Sequence, residues 1–397
     1  MTEVKNIVLV IGTRPEAIKM APVYEAIKLQ PGLNPLILAT GQHREQLYQA
    51  LSLFDVEVAK NLDLMTERQS LSGLAGSMLP EVARALKEME SDFVLVHGDT
   101  LTTFAVAWTA FIEGIPVGHV EAGLRSFNLR EPFPEEANRR LTDVLTELDF
   151  APTPMAKQNL LNEGKIAERI FSTGQTGIDA ILKASKLGKF PQGIPENNLV
   201  TVTLHRRENW PVLTDLALAL KKLALDFPKH SFIYPVHLNP VVRDAVSPIL
   251  DDVENFYLLD PLEYGEMAAL LSKSIFILTD SGGLQEEGAA LGVPVGVVRN
   301  VTERPEGVKA GILTLLGNDP YTLYEKTRSL LENPEKLKSM ASSVNPYGEG
   351  KASQRISKAL ACYFGFGGRP EDWQPENTLP FDVDVIDLEE NAYIQLG

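Results

Sequence analysis

The sequence predicts an α/β protein made of two Rossmann-like, doubly wound parallel-sheet units that face each other across a cleft. Three observations carry this expectation. Short β-branched runs alternate with helical patterns along most of the 397 residues. The strand candidates are apolar throughout rather than alternating, as parallel strands covered on both faces must be. The alternation also runs in two successive series, parted by a Lys-, Gly- and Pro-rich stretch, KASKLGKFPQGIPENN, at 183–198. At roughly 150 residues per domain the length suits two units, and right-handed crossovers wind each series into an open sheet.

In the first series, strands are expected at 6–12 (NIVLVIG), 35–41 (PLILATG), 93–98 (FVLVHG), 117–121 (VGHVE) and 170–174 (IFSTG). In the second they are expected at 199–205, 231–237, 255–260, 275–280, 293–298 and 312–317. Helical periodicity fills 16–29, 69–89, 101–113, 135–148, 212–226 and 287–291. A last helix at 351–364 follows the turn-rich NPYGEG. The expected division is an N-terminal unit over 1–180 and a C-terminal unit over 181–350. A helix at 351–365 then crosses back to the first unit, and 366–397 form an acidic tail.

Lys plus Arg number 37 and Asp plus Glu 53, a net charge of −16. That balance argues against a nucleic-acid or anionic-membrane surface, although a local basic pocket for a small phosphate ligand remains compatible with it. Eight of the acids, with no Lys or Arg, lie in 371–397. Half of the net charge therefore sits in the tail, which reads as a solvated extension or docking strand rather than core. The single cysteine, Cys362, cannot form an internal disulfide. No apolar run reaches the ~18 residues of a membrane span, and MTEVKNIVLVIGTRP does not read as a signal peptide. A soluble cytoplasmic protein is expected.

In open parallel sheets, ligands bind beyond the carboxyl ends of the strands, and here strand after strand ends in polar or Gly-rich sequence. Asp280-Ser281-Gly282-Gly283 opens a helix whose free N–H groups suit an anion; a plain tight turn is the alternative. Gly12-Thr13-Arg14-Pro15 is a second such loop, and Arg14 and Lys19 serve there either as cleft cations or as a solvated pair. Arg304 adds charge near the same phosphates or lies in an exposed turn. Asp99, Glu121 and Glu135 are the carboxylate candidates for acid–base work. Glu135 and Arg139, at i and i+4, are expected to pair on one helical face, with a cap role as the other reading of Glu135. Of the six histidines, His205 is the best functional candidate, since Arg206, Arg207 and Glu208 follow it; His97 and His119 are as readily core residues. No metal-ligand spacing links the histidines, so no metal and no cofactor are expected. GxGxxG, GxxxxGK[ST] and GxSxG are all absent from the sequence.

The segments GTRPEAIKMAPV, TGQHREQL, HGDT, HVEAGLRSFN, PEEANRRL, HRREN, PVHLNP, LTDSGGLQEE, TERPEGVKAG and NPYGEGKAS occur in this order between about residues 7 and 355. With them the chain resembles the non-hydrolysing UDP-N-acetylglucosamine 2-epimerases of bacteria and archaea. The loop GTRPEAIKM resembles the UDP-GlcNAc enzymes rather than relatives acting on other UDP-sugars. The resemblance implies the two-domain arrangement of GT-B glycosyltransferases, a homodimer, reversible conversion of UDP-GlcNAc to UDP-ManNAc, and supply of ManNAc units for surface polysaccharide. It implies that Arg14, Lys19, His205, Ser281, Gly282, Gly283 and Arg304 hold the diphosphate in the second unit's nucleotide site. Glu287 would take the ribose, with Leu262 and Met267 near the uracil. Asp99, Glu121 and Glu135 would surround the sugar as acid–base groups, with Arg139 positioning Glu135. Gln42, His43, Arg68, Arg206 and His237 match a second, activating nucleotide-sugar site of bacterial members. The family's TGNT reads Thr173-Gly174-Gln175-Thr176 here, its Asp before TTERPE reads Asn300, and Met267 replaces an aromatic.

The chemistry agrees with the resemblance. C2 of the sugar is not beside a carbonyl, and the nicotinamide fingerprint is missing, so inversion is expected by elimination. UDP leaves C1, C2 loses its proton, and 2-acetamidoglucal remains until UDP re-adds. Rival readings are a GT-B glycosyltransferase using a UDP-sugar, an epimerase of a related UDP-HexNAc, and a non-catalytic nucleotide-sugar sensor.

Overall fold

A computed structural model describes residues 4–41, 44–64 and 69–375. The first half runs β1 (Lys5–Ile11), α1 (Arg14–Lys28), β2 (Leu33–Ala39), α2 (Arg44–Leu53), β3 (Val58–Asn61), α3 (Leu71–Glu88), β4 (Phe93–His97), α4 (Leu101–Ile112), β5 (Val117–Val120), α5 (Glu135–Leu145), β6 (Leu148–Ala151), α6 (Pro154–Asn162), β7 (Ile170–Ser172) and α7 (Thr176–Leu187). The second runs β8 (Leu199–Thr203), α8 (Leu213–Asp226), β9 (Ser231–Pro235), α9 (Pro240–Leu250), β10 (Phe256–Leu259), α10 (Tyr264–Lys273), β11 (Ser274–Thr279), α11 (Gly282–Ala290), β12 (Val295–Val297), α12 (Pro305–Ala310), β13 (Leu313–Leu315), α13 (Pro320–Leu331), α14 (Pro334–Ala341) and α15 (Ala352–Tyr363).

Two all-parallel sheets result, ordered β3-β2-β1-β4-β5-β6-β7 and β10-β9-β8-β11-β12-β13. The winding direction reverses between β1 and β4 in one sheet and between β8 and β11 in the other. Crevices for ligands form at such reversals, which singles out the loops after these four strands. The continuous apolar runs follow from burial on both faces. Ile7, Leu9 and Ile11 pack with α1, α7 and α15 residues such as Met20, Ile181 and Leu360, while Val8 and Val10 pack with Met78 and Val82 of α3 and Val106 of α4. In the second sheet Val200 and Val202 face Leu216 and Leu220 of α8.

Two strands escape the sequence reading. β3 is a half-buried edge, VAKN, with no apolar run to announce it. β6, LDFA, overlaps the expected helix 135–148 only at Leu148 and is otherwise unassigned from sequence; the helix itself stops at Leu145 and Thr146 turns extended. Asp149 at the centre of β6 is buried, paired with Lys165 Nζ at 2.9 Å and accepting from Thr146 Oγ1 at 2.5 Å. The boundary expected at 180 falls inside α7, whose Asp179 accepts from Ala352 and Ser353 N–H at the start of α15. α15 then lies against α1, with Ser357 Oγ donating to Ala26 O at 2.9 Å.

Part of the expected solvated tail is docked. Trp373 is 4% exposed, its N–H donates to Ser172 O at 2.7 Å, and Asp372 meets Lys157 Nζ at 2.5 Å. This strap covers the free edge of β7, an unpaired row of backbone groups that sequence acidity alone does not reveal. The alternating stretch 381–385 lies outside the described residues.

Candidate active site

The loop after β1 is shaped by a capping box. Thr13 caps α1, and Glu16, itself buried, accepts from Gly12 N at 2.6 Å and Thr13 N at 2.8 Å. Its other oxygen accepts from Thr100 Oγ1 at 2.6 Å. Glu16 therefore ties the β1–α1 loop to the β4–α4 loop, across the reversal of the sheet. Glu16 is not among the residues expected at the site, although Thr-x-x-Glu before a helix is a recognisable capping signal.

α1 carries Lys19 into the cleft. Its Nζ lies 2.6 Å from Glu121 Oε2, and His97 Nε2 lies 2.9 Å from the same oxygen. Glu121 sits just past β5 with φ 71°, a left-handed backbone that side chains rarely adopt. Burial works against its charge, but Lys19 and His97 overcome this and hold the carboxyl far below the usual carboxylate range. Burial likewise opposes charge on Lys19, yet Glu121, Glu286 and Asp99 raise its pKa above the ordinary value. The cleft thus holds a fixed carboxylate and a fixed ammonium.

Asp99 hangs from a loop braced on both sides. Gly98 N donates to Val120 O at 2.9 Å, and His119 Nε2 lies 2.6 Å from Gly98 O. His119, with no exposed surface, also meets Asp143 Oδ1 at 2.5 Å. Asp143 in turn binds Arg125 at 2.6 Å, and Arg125 reaches Glu163 at 2.7 Å. Both neighbours of His119 are acceptors, so both ring nitrogens donate. Burial opposes that charge, but Asp143 raises the pKa above the ordinary histidine value.

The expected pairing of Arg139 with Glu135 is not what the structure shows. Arg139 Nη2 meets Asp99 Oδ2 at 2.5 Å, with Glu136 at 3.4 Å from Nη1. The reason is local. Glu136, fully buried, accepts from Ser126 and Phe127 N–H at 2.9 and 3.1 Å and so points inward beside Arg139. Glu135 is half-buried at the start of α5, and no ion pair holds it among the described residues.

From the other sheet, Ser281 N-caps α11, and Gly282 and Gly283 form its first turn. A Cβ on Gly282 would lie 3.3 Å from the Arg304 guanidinium, so Arg304 lies against the exposed amide end of the helix. Its Nε donates to Glu286 Oε1 at 2.9 Å and its Nη1 to Glu303 at 2.9 Å. Burial, then Glu286, pushes the Glu287 carboxyl up to about 7, and Tyr264 OH lies 3.5 Å from it. His205 follows β8. Its N–H and that of Arg206 donate to the wholly buried Asp280 at 3.0 and 2.9 Å. Burial lowers the His205 pKa, so its ring is neutral at pH 7.

His237 stacks on His205, with ring centroids 5.7 Å apart. Arg206 lies within 4.0 Å of Glu208 and Glu303. Gln42, His43 and Arg68 lie outside the described residues. Arg14 and Leu262 line a cavity of about 550 Å³ between α2, the end of α7 and the start of α10. Met267 packs into neighbouring apolar clusters with Ile178, Leu270 and Leu271. Among the described residues no group of three His, Cys, Asp or Glu side chains is placed to hold a metal ion. The arrangement joins carboxylates from the first sheet to cations and a helix N-terminus from the second. Such a cleft can bind an anionic leaving group while moving a proton nearby.

Comparisons with known proteins point to one family. The family model described as UDP-N-acetylglucosamine 2-epimerase matches residues 25–361. The UDP-N-acetylglucosamine 2-epimerase of Bacillus subtilis is 44% identical over 365 residues, covering 91% of this chain and 96% of that protein. The crystal structure of UDP-GlcNAc 2-epimerase from Neisseria meningitidis bound to UDP-GlcNAc superposes with a TM-score of 0.80 at 43% identity, over 90% of this chain and 100% of that one. The archaeal UDP-GlcNAc 2-epimerase of Methanocaldococcus jannaschii gives 0.79 at 31% identity, over 90% and 99%.

Proposed function

The chain belongs to the UDP-N-acetylglucosamine 2-epimerase family, and from that premise we propose that it interconverts UDP-GlcNAc and UDP-ManNAc. The observation that carries the reading is the Glu121–Lys19 pair at the carboxyl edge of the first sheet, electrostatically coupled to Glu286 on the helix that opens from the second. A proton-accepting group and an anion-binding turn thereby share one cleft.

In this reading the C1–O bond to UDP breaks and the leaving oxygen takes the electron pair. The C2 proton passes to a carboxylate, leaving 2-acetamidoglucal. A carboxylic acid on the opposite face then protonates C2, and UDP re-adds at C1. Asp99, Glu121 and Glu135 surround the sugar, and Arg139 orients Asp99. Lys19, Arg14, Arg304, His205 and the Ser281–Gly283 turn receive the diphosphate, where preorganised charge at the leaving oxygens is the main catalytic term. Glu287 takes the ribose, with Leu262 and Met267 beside the uracil. The two units, 1–180 and 181–350, close around the substrate, and 351–365 ties them together.

The chain works as a cytoplasmic homodimer that supplies ManNAc units for surface polysaccharide. Support for self-association is the exposed apolar face of α4 and α5, where Trp108, Phe111, Ile112, Leu141 and Val144 are each at least 41% exposed. No described helix is long and apolar enough to cross a membrane. His237 stacked on His205, with Arg206 beside it, supports a second nucleotide-sugar site next to the first.

Incubation with UDP-GlcNAc alone in D2O tests the reaction. Proton NMR should show UDP-ManNAc with deuterium at C2, and UDP with 2-acetamidoglucal on long incubation. Retention of all the C2 hydrogen in product would sink elimination, and an inert UDP-GlcNAc would favour a glycosyltransferase. Arg14→Ala and Arg304→Ala should each weaken UDP binding by about 10- to 150-fold, since each removes a charge-assisted hydrogen bond worth roughly 1.5–3 kcal/mol. Unchanged UDP affinity in both variants would remove the arginines from the clamp.

A further inference from the structure

Of the three cations proposed to receive the diphosphate, Lys19 and Arg304 already hold carboxylates, and Arg14 alone has no ion pair among the described residues. Lys19 is held by Glu121 at 2.6 Å. Arg304 is held by Glu286 at 2.9 Å and Glu303 at 2.9 Å. Glu303 is 62% exposed and can turn to water, but Glu286 is 12% exposed and cannot. It sits in the second turn of α11, one residue from Glu287, on the guanidinium that lies against Gly282. A diphosphate settling on the Gly282–Gly283 turn brings two more negative charges beside a buried carboxylate, with the single unpaired cation Arg14 to offset them. Like charges this close in a desolvated site do not all stay ionised.

We propose that Glu286 holds Arg304 in place in the empty cleft and takes up a proton from solvent when the diphosphate of a UDP-sugar binds. The inference rests on the epimerase reading for its ligand. The groups that face Glu286 are Arg304 and Glu303 before α12, Lys19 of α1, Glu121 after β5, Glu287 of α11 and Tyr347 before α15. The balance among them is already close, because burial raises the Glu286 pKa above the ordinary value even before ligand arrives. The added phosphate charge displaces it further in the same direction. The neutral acid still accepts from Arg304 through its carbonyl oxygen, so the clamp keeps its geometry while the local negative charge falls by one.

Calorimetric titration with UDP-GlcNAc tests this, because its diphosphate is a diester with no ionisation near neutral pH and C2 inversion releases no net proton. Binding heats compared in Tris and HEPES at about pH 8 should report uptake of about one proton per site. Affinity should then fall by roughly tenfold per pH unit above the free-enzyme pKa of Glu286. In Glu286→Gln, which keeps the shape and loses the charge, both the uptake and the pH slope should drop to less than half, with affinity at pH 8 equal to or tighter than wild type. Binding without proton uptake in the wild-type protein overturns the assignment and leaves the epimerase reading standing. Uptake that persists in Glu286→Gln but vanishes in Glu287→Gln overturns it in favour of Glu287. Absence of any UDP-GlcNAc binding overturns both the assignment and the function it rests on.

Discussion

Glu121→Gln should lower kcat by about 10²- to 10⁴-fold, the range for loss of a positioned proton-transfer group, while UDP affinity stays the same or improves. The carboxylate is fixed by its left-handed backbone and by Lys19 and His97 on one oxygen, so the second oxygen is the one left to face the cleft. Glutamine preserves the shape but not the basicity. It also releases Lys19, whose Nζ no longer has a carboxylate at 2.6 Å. A freed ammonium in the diphosphate site binds UDP at least as well as a paired one, so kcat and UDP affinity should move independently. The linkage has a definite sign. A depressed carboxyl pKa contributes stability above its unfolded value, about 4.3, and that contribution fades as pH falls through the folded value. The variant should therefore lose less stability in acid than the wild type. A kcat within tenfold of wild type, with the protein folded, would remove Glu121 from the chemistry.

The clustering of polar strand ends was legible because parallel sheets place the carboxyl ends of their strands on one edge. Gly12-Thr13-Arg14, Gly98-Asp99, His205 and Asp280-Ser281 follow β1, β4, β8 and β11, the four strands at the two reversals. What the sequence hid were the partners. Arg139 and Glu135 stand one helical turn apart, yet Arg139 turns to Asp99, 40 residues away in sequence. Helical spacing shows which side chains share a face but not what approaches that face from another element. Glu286 was hidden for the same reason. From sequence alone, Glu286 beside Glu287 near a helix start reads as a cap or dipole partner, and only the fold brings Arg304 and Lys19 to it. β3 and β6 were missed because edge position and a buried, paired Asp149 remove the apolar run by which a strand is recognised.

Asp143→Asn should cost about 3–5 kcal/mol of stability, the range for breaking a buried ion pair by removing one partner. Asp143 is 1% exposed and compensates two buried cations, the His119 ring at 2.5 Å and Arg125 at 2.6 Å. An asparagine leaves Arg125 with Glu163 alone and turns an NH2 or a neutral oxygen toward His119. The pH dependence separates this from a packing effect. Burial opposes the charge on Asp143, but His119 and Arg125 lower its pKa; its contribution is present above the unfolded value of about 3.9 and lost as pH falls through the folded one. The raised pKa of His119 works in the opposite sense. Its contribution is full below the unfolded value of about 6.5 and lost as pH rises through the folded value. The pair therefore stabilises most between about pH 4 and 6.5, and Asp143→Asn should flatten the profile of denaturant midpoint against pH in that window. Activity should fall as well, because His119 braces Gly98 O beside Asp99. The double variant His119→Gln, Asp143→Asn should recover part of the stability, since it removes a buried charge along with its partner. A loss below about 1 kcal/mol, or a pH profile parallel to wild type, would show that His119 and Asp143 do not form a charged pair.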